Sequence, residues 1–281
     1  MSTRRYRVVH TSTYAYTGPI SASHNELRMT PLTEGNQVTL ESRLRIRPLT
    51  WSHTYKDYWG TSVTALETAG THEALELEAV STVECSDAVL PAQASTWEEL
   101  RSDGVRDQCW EYLHDRPRTE LPSEVLDWFS GQVEGLEPSL TVQRVLELIR
   151  EHMEYEAGWT VATTNAAEAW EARKGVCQDF VHVTVGVLRH LGIPARYVSG
   201  YLTPDPNAAI GEALTGESHA WVEWFQGAWT GIDPTNLLAV GVDHIIVGRG
   251  RDYDDVAPFT GVYLGDAEAD LTVEVTVTRL S

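Results

Sequence analysis

The spacing of apolar residues changes twice along this chain, from a period of two to a helical period and back to two, which confines it to a mixed α+β fold. Through the first 85 or so residues the pattern is that of strands separated by turns. Val38, Leu40, Leu44 and Ile46 share one face of an alternating segment whose other face carries Arg43, Arg45 and Arg47, and Leu75, Leu77, Ala79 and Val83 repeat it. Alternation of this kind predicts a half-buried antiparallel sheet. From about Trp97 the apolar residues fall at helical intervals, over Arg106 to Asp115, Ser123 to Gln132 and Val142 to Tyr155. The stripe of Val142, Val145, Leu146, Ile149 and Met153 reads as core. A short helix is expected from Asn165, which can cap it with Glu168 three positions on, and it should end before Gly175.

After Gly175 the pattern is more specific. Phe180, Val181, Thr184, Val187, Leu188 and Leu191 recur at steps of three and four, after which Gly192 offers a left-handed stop and Pro194 prevents continuation. Cys177 therefore falls in the first turn of a largely buried helix. Strands return over Ala195 to Tyr201, Ala220 to Phe225 and, beyond a tight turn at Gln226 and Gly227, Ala228 to Ile232. The Pro-, Gly-, Asn- and Ala-rich segment from Thr203 to Glu217 reads as a mobile loop able to cover a cleft. In the last strand Leu271, Val273, Val275 and Val277 alternate with Thr272, Glu274, Thr276 and Thr278. The expected organisation is an N-terminal β-rich domain over residues 1–90 and an α+β core over residues 91–281 that includes the C-terminal strand.

Charge and cysteine usage narrow the function. Acidic residues outnumber basic ones 41 to 21, and a net charge of −20 repels nucleic acid and anionic membranes, so neither is expected as a partner. Cys85, Cys109 and Cys177 are too few and too scattered for a disulfide framework or a structural zinc site, which fits a reducing compartment. Arg4 and Arg5 resemble a twin-arginine signal, but His10, Thr11, Ser12 and Thr13 interrupt the apolar stretch that should follow, and a cytoplasmic location is expected. Asp252, Asp254 and Asp255, with Asp266, Glu268 and Asp270, lack the spacing and turn glycine of a calcium loop and read as solvated acidic loops.

Three residues supply chemistry. A cysteine is a useful nucleophile only as thiolate, and a helix N-terminus such as that expected at Cys177 favours negative charge. The alternative for Cys177 alone is a buried, inert thiol. His219 opens the strand Ser218-His219-Ala220-Trp221-Val222-Glu223, where a ring can be held in one orientation. Asp233 ends the next strand before Pro234, so an antiparallel return sets it beside His219, where it could accept the Nδ1 proton. Together these are a nucleophile, a base and an orienting group. His182 lies on the cysteine helix itself, cannot face the thiol from across a cleft, and is expected to support packing.

The blocks Gly175-Val176-Cys177-Gln178-Asp179-Phe180-Val181-His182, Leu191 to Tyr201, His219 to Glu223 and Asp233-Pro234-Thr235-Asn236 resemble the bacterial transglutaminase-like family. The resemblance spans nearly the whole chain. His10, Tyr14, Tyr16 and Asn25 to Arg28 are similar to its N-terminal β-domain, and Gly250 to Pro258 to its tail; Val181 and Ser12 depart from the usual alanine and threonine. The resemblance implies a papain-related core, a Cys177-His219-Asp233 triad and a peptide or protein substrate, with no metal or organic cofactor required. It also implies an oxyanion donor upstream of the cysteine. Trp159 and Tyr155 are the candidates beside the Cys177 backbone N–H, and Gln178 is either a further contributor or first-turn filler. Three functions stay open: amide hydrolysis through a thioester, acyl transfer to an amine, and a noncatalytic interaction domain.

Overall fold

A computed structural model describes residues 3–87 and 94–281; the expected domain boundary at residues 90 and 91 falls outside them. The first four strands are β1 (Thr3–Leu27), β2 (Gln37–Arg47), β3 (Trp51–Lys56) and β4 (Ser62–Ser86). Helices α1 (Trp97–Leu100), α2 (Asp103–Gln108), α3 (Ser123–Gln132) and α4 (Pro138–His152) follow, with a 3-10 turn at Trp110–Tyr112. Then come β5 (Glu154–Tyr155), α5 (Ala166–Ala172), β6 (Lys174–Gly175) and α6 (Cys177–His190). The rest is β7 (Ala195–Leu202), β8 (Ala213–Gly216), β9 (Ser218–Phe225), β10 (Trp229–Asp233), β11 (Leu238–Ala239), β12 (His244–Gly250), α7 (Tyr253–Val256), β13 (Phe259–Leu264) and β14 (Ala269–Arg279).

Two antiparallel sheets carry this order. The first runs β2-β4-β1-β14-β8, with β3 on β4 and β13 on β1; the second runs β11-β10-β9-β7-β12. The alternating residues Leu75, Leu77, Ala79 and Val83 are all buried, as their period requires. On β2 the expected face breaks in two. Leu40 is an extra residue between the pairs Thr39↔Val83 and Glu41↔Thr82, and one inserted residue reverses which way later side chains point. Leu44 and Ile46 consequently pack inward while Val38 and Leu40 are 43% and 50% exposed.

Three further expectations are corrected. The C-terminal strand, expected in the core, pairs with β1 from Tyr16↔Ala269 to Tyr6↔Arg279, burying Val275 and Val277 against Tyr6, Val8 and Ile245. The segment from Thr203 to Glu217 is not a free cover: it contains β8, whose residues pair with Val275 to Thr278 of β14, and Gly211 N–H donates to the Arg279 carbonyl at 2.8 Å. The helices expected over Arg106 to Asp115 and Val142 to Tyr155 are shorter. The former yields to the 3-10 turn after Cys109, and the latter stops where Met153 turns extended at φ −124°, ψ 137°, leaving Tyr155 in a strand. No described helix is long and apolar enough to cross a membrane.

α6 is the centre of the core. Phe180, Val181, Val183, Val187 and Leu188 are buried between Val142, Val145 and Ile149 of α4 and Ala220, Val222 and Trp224 of β9. Gly186 marks the tightest approach, since a Cβ there would stand 2.1 Å from the Thr119 carbonyl oxygen. Backbone cannot yield as a side chain can, so Gly186→Ala is expected to cost about 1–3 kcal/mol. Its melting midpoint should fall by several degrees, whereas Gly131→Ala on α3, where a Cβ meets nothing within 4 Å, serves as a neutral control.

Candidate active site

The geometry around Cys177 is set by what precedes α6. Val176 is extended at φ −102°, ψ −177°, and Cys177 is the first helical residue. Asp179 folds back so that its Oδ2 accepts the Val176 N–H at 2.8 Å, satisfying one of the amides that a helix start leaves unpaired. The same oxygen accepts the Thr160 hydroxyl at 2.6 Å, tying the segment between β5 and α5 to the nucleophile's helix. Gly175 permits this closeness, because a Cβ there would lie 2.6 Å from that of Asp179. Burial raises the Asp179 pKa although these donors oppose it.

His219 is the second residue of β9, and the register Ile232↔Val222 brings β10 back alongside, so that its last residue, Asp233, reaches the ring. His219 Nε2 donates to Asp233 Oδ2 at 2.7 Å. The expectation that Nδ1 would make this bond is corrected: the ring reaches across from the start of one strand to the end of the next, and the nitrogen farther from Cβ spans the gap. Nδ1 is left for the Cys177 thiol, which hydrogen-bonds to the ring. Cys177, His219 and Asp233 are thus brought together by α6, β9 and β10.

Asp233 is fully buried, and its surroundings are donors. Oδ1 accepts the Thr235 and Asn236 backbone N–H groups at 2.9 and 3.1 Å, while Oδ2 accepts Asn236 Nδ2 at 2.8 Å beside His219. Burial works against its ionisation, but the donated bonds, led by that of His219, hold it far below the usual carboxylate range. For His219 burial works against protonation, yet the bonds to Asp233 and Cys177 and their charges push it up to about 10. Both shifts favour an imidazolium on a carboxylate over a neutral pair.

The remaining site residues divide. Tyr155 pairs with Gly175 in the short parallel ladder of β5 and β6, two residues before the cysteine, and its phenol is raised by burial and, to a lesser degree, by the Cys177 charge. Trp159 stands on the turn that follows, 45% exposed, its backbone N–H bonded to the Glu156 carbonyl. Gln178 turns away from the thiol and donates through Nε2 to the Ala162 carbonyl at 3.3 Å. Two other phenols near the site went unmarked in the chain, those of Tyr197 and Tyr253; burial raises both, with the Cys177 charge a lesser cause. Both lie within segments the resemblance had marked, but nothing in their spacing points to the thiol. His182 does support packing, buried against Tyr197 at 5.3 Å and accepting the Tyr253 N–H through Nε2. Burial lowers its pKa to about 3.

The acidic run after Gly250, expected to be solvated, is instead engaged. Asp252 is buried on Arg116 at 2.8 Å, Asp254 pairs with Arg118 at 2.7 Å and Asp255 with Arg251 at 2.8 Å. The Arg116 and Arg118 pairs fasten the start of α7 to the segment before α3, and Arg251 closes the run on itself, so that three arginines offset the charge.

Residues 6–84 match the bacterial transglutaminase-like N-terminal region, and residues 130–234 match the transglutaminase-like superfamily. An uncharacterized protein of Mycobacterium leprae is 39% identical over 277 residues, 99% of each chain. A protein-glutamine gamma-glutamyltransferase of Pseudomonas aeruginosa is 38% identical over 74 residues, 25% of this chain and 11% of that one. The crystal structure of a candidate cysteine protease from Cytophaga hutchinsonii superposes with a TM-score of 0.81 at 21% identity, covering 100% of this chain and 92% of that one, a shared fold.

Proposed function

This chain belongs to the bacterial transglutaminase-like family, and from that premise we propose that it is a cysteine-dependent enzyme that cleaves peptide or side-chain amides through a thioester at Cys177. The observation that carries the reading is the His219 ring held between the Cys177 thiol and the buried Asp233 carboxylate, with Nε2 2.7 Å from Oδ2. In the first half the Cys177 sulfur attacks the amide carbonyl carbon, and the oxyanion forms at the α6 N-terminus, where the Cys177 N–H can donate to it. His219 then gives its Nδ1 proton to the amide nitrogen, the C–N bond breaks and the amine leaves. In the second half water gives a proton to His219 and attacks the thioester, which releases the acid and the thiolate. Asp233 keeps its charge throughout and steadies the imidazolium. Tyr155 is the better placed of the two upstream oxyanion candidates, since its strand pairs with Gly175.

A second reading, in which an amine rather than water resolves the thioester, draws on the partial likeness to the Pseudomonas glutamyltransferase. Both readings share every step up to the thioester.

The test begins with the thiols. Burial pushes Cys85 up to about 12 and Cys109 up to about 11, so neither should react with iodoacetamide near neutral pH, while Cys177 is partly exposed beside an imidazolium. Cys177 should be alkylated at least tenfold faster than the other two, and His219→Ala should remove most of that lead. Equal labelling of all three would favour a noncatalytic interaction domain. Incubating the active protein with casein and a primary-amine probe separates the rest: released ammonia or fragments without probe uptake mean hydrolysis, and covalent uptake means transfer.

A further inference from the structure

The Asp233 carboxylate faces a second imidazole. His244, the first residue of β12, is buried, and its Nε2 lies 3.6 Å from the same Oδ2 that accepts His219. The separation is too long for a hydrogen bond and short enough for direct electrostatic contact. The other ring nitrogen settles which end of His244 is which. Gly241 N–H points to Nδ1 at 3.4 Å, so Nδ1 is the acceptor and Nε2 is the donor aimed at Asp233. Among the described residues Nε2 has no hydrogen-bond partner, although the side chain is only 4% exposed. A buried donor without a partner is costly, so an orientation that leaves Nε2 facing a carboxylate calls for a reason.

The ring is held there from three sides. Trp221, two residues along β9 from His219, meets it edge to face at 5.2 Å, and the His219 ring centre is 6.4 Å away. The preceding residue, Asp243, is fixed by Arg4 and Tyr6 of β1, and its carbonyl accepts the Thr203 N–H at 3.0 Å. The first sheet therefore anchors the point at which β12 presents His244 to the second.

We infer that His244 is a positioning residue for the proposed reaction: its Nε2–H fixes the Asp233 Oδ2 lone pairs so that one stays directed at His219. This rests on the cysteine-enzyme reading above and extends it. The 3.6 Å contact closes to a hydrogen bond in the substrate complex, since apo contacts of this kind commonly shorten once substrate is bound. Asn236 Nδ2 and His244 Nε2 then flank the acceptor of the His219 bond, and the carboxylate has no rotation left to it.

The experiment uses the full chain and three variants. His244→Phe keeps the ring and its packing on Trp221 but removes the N–H; His244→Gln removes the ring and keeps an N–H donor at a similar reach; His244→Leu replaces the Phe variant if that one does not fold by circular dichroism. The expected result is that Phe (or Leu) slows iodoacetamide capture of Cys177 and amide turnover about tenfold, while Gln stays within about threefold of wild type. A packing role predicts the reverse order, Phe tolerated and Gln impaired, and would overturn the inference, as would equal losses in both or no loss in Phe. If wild-type Cys177 itself shows no preferential labelling and no turnover, the enzyme reading fails, independently of how the His244 variants compare.

Discussion

Cys177→Ala is expected to remove amide turnover and probe uptake altogether, a loss on the order of 10⁶-fold, because the nucleophile of a unit acting together cannot be replaced by its partners. The cause is local. Cys177 begins an α-helix beside an imidazole, whereas Cys85 and Cys109 are buried, and burial holds them as thiols. Intact-mass analysis after substrate addition checks it directly: wild type should carry an acyl adduct mapping to the peptide with Cys177, and Cys177→Ala should carry none. Retention of turnover in the variant would end the proposal. The substitution removes little buried surface, and melting midpoints should differ by only a degree or two.

The second large effect concerns Asp233→Asn, for which about a 10⁴-fold loss is expected rather than a mild one. Asparagine serves in some cysteine enzymes, so the outcome depends on which way the amide would face. Asp233 Oδ1 accepts two backbone N–H groups, from Thr235 and Asn236, and an asparagine would keep its single oxygen there. That turns the amide NH₂ toward His219 Nε2 and Asn236 Nδ2, donor against donor. The ring would lose its proton from Nε2 or swing away, and in either case Nδ1 no longer serves the thiol. A loss of only a few fold would mean that Asp233 does not orient the base.

The same pair predicts a pH-dependent stability. The folded pKa of His219, about 10, exceeds its unfolded value of 6.5, so the protonated ring favours the folded chain. That contribution is full below about 6.5 and is lost as pH rises through about 10. Asp233 is depressed below its ordinary 3.8, so its contribution is full above that value and fades as pH falls beneath it. The melting midpoint of wild type minus that of Asp233→Asn should therefore be largest between about pH 4 and 6.5 and shrink toward pH 10. A difference that is flat over this range would contradict the ion-pair assignment.

Much of the candidate site is legible in the chain, for reasons of local geometry. Apolar residues at steps of three and four, closed by Gly192 and Pro194, mark the buried helix, and its start at Cys177 follows from the extended Gly175 and Val176. Asn165 and Glu168 form the reciprocal cap that their spacing predicts. The return from β9 to β10 through Gln226 and Gly227 sets Asp233 beside His219 because a tight turn fixes the register of the strands it joins. Less legible is Tyr155: its place at the end of a stretch with helical spacing argued for α4, and only the pairing of β5 with Gly175 brings it toward the thiol.

What the sequence by itself determined is the succession from strands to helices and back to strands, the buried helix that begins at Cys177, and the hairpin that carries His219 and Asp233, since hydrophobic period, caps and turns are properties of neighbours in the chain. Tertiary structure alone decided that β14 completes the first sheet beside β1, that the Thr203 to Glu217 segment is bound to it through β8, and that His244 arrives at the same carboxylate as His219. Those pairings join residues far apart in the chain, and an alternating strand presents the same pattern to every edge that could accept it. The choice among edges is made by the fit of buried faces such as Val275 and Val277 on Tyr6 and Val8, which exists only once both sheets are folded.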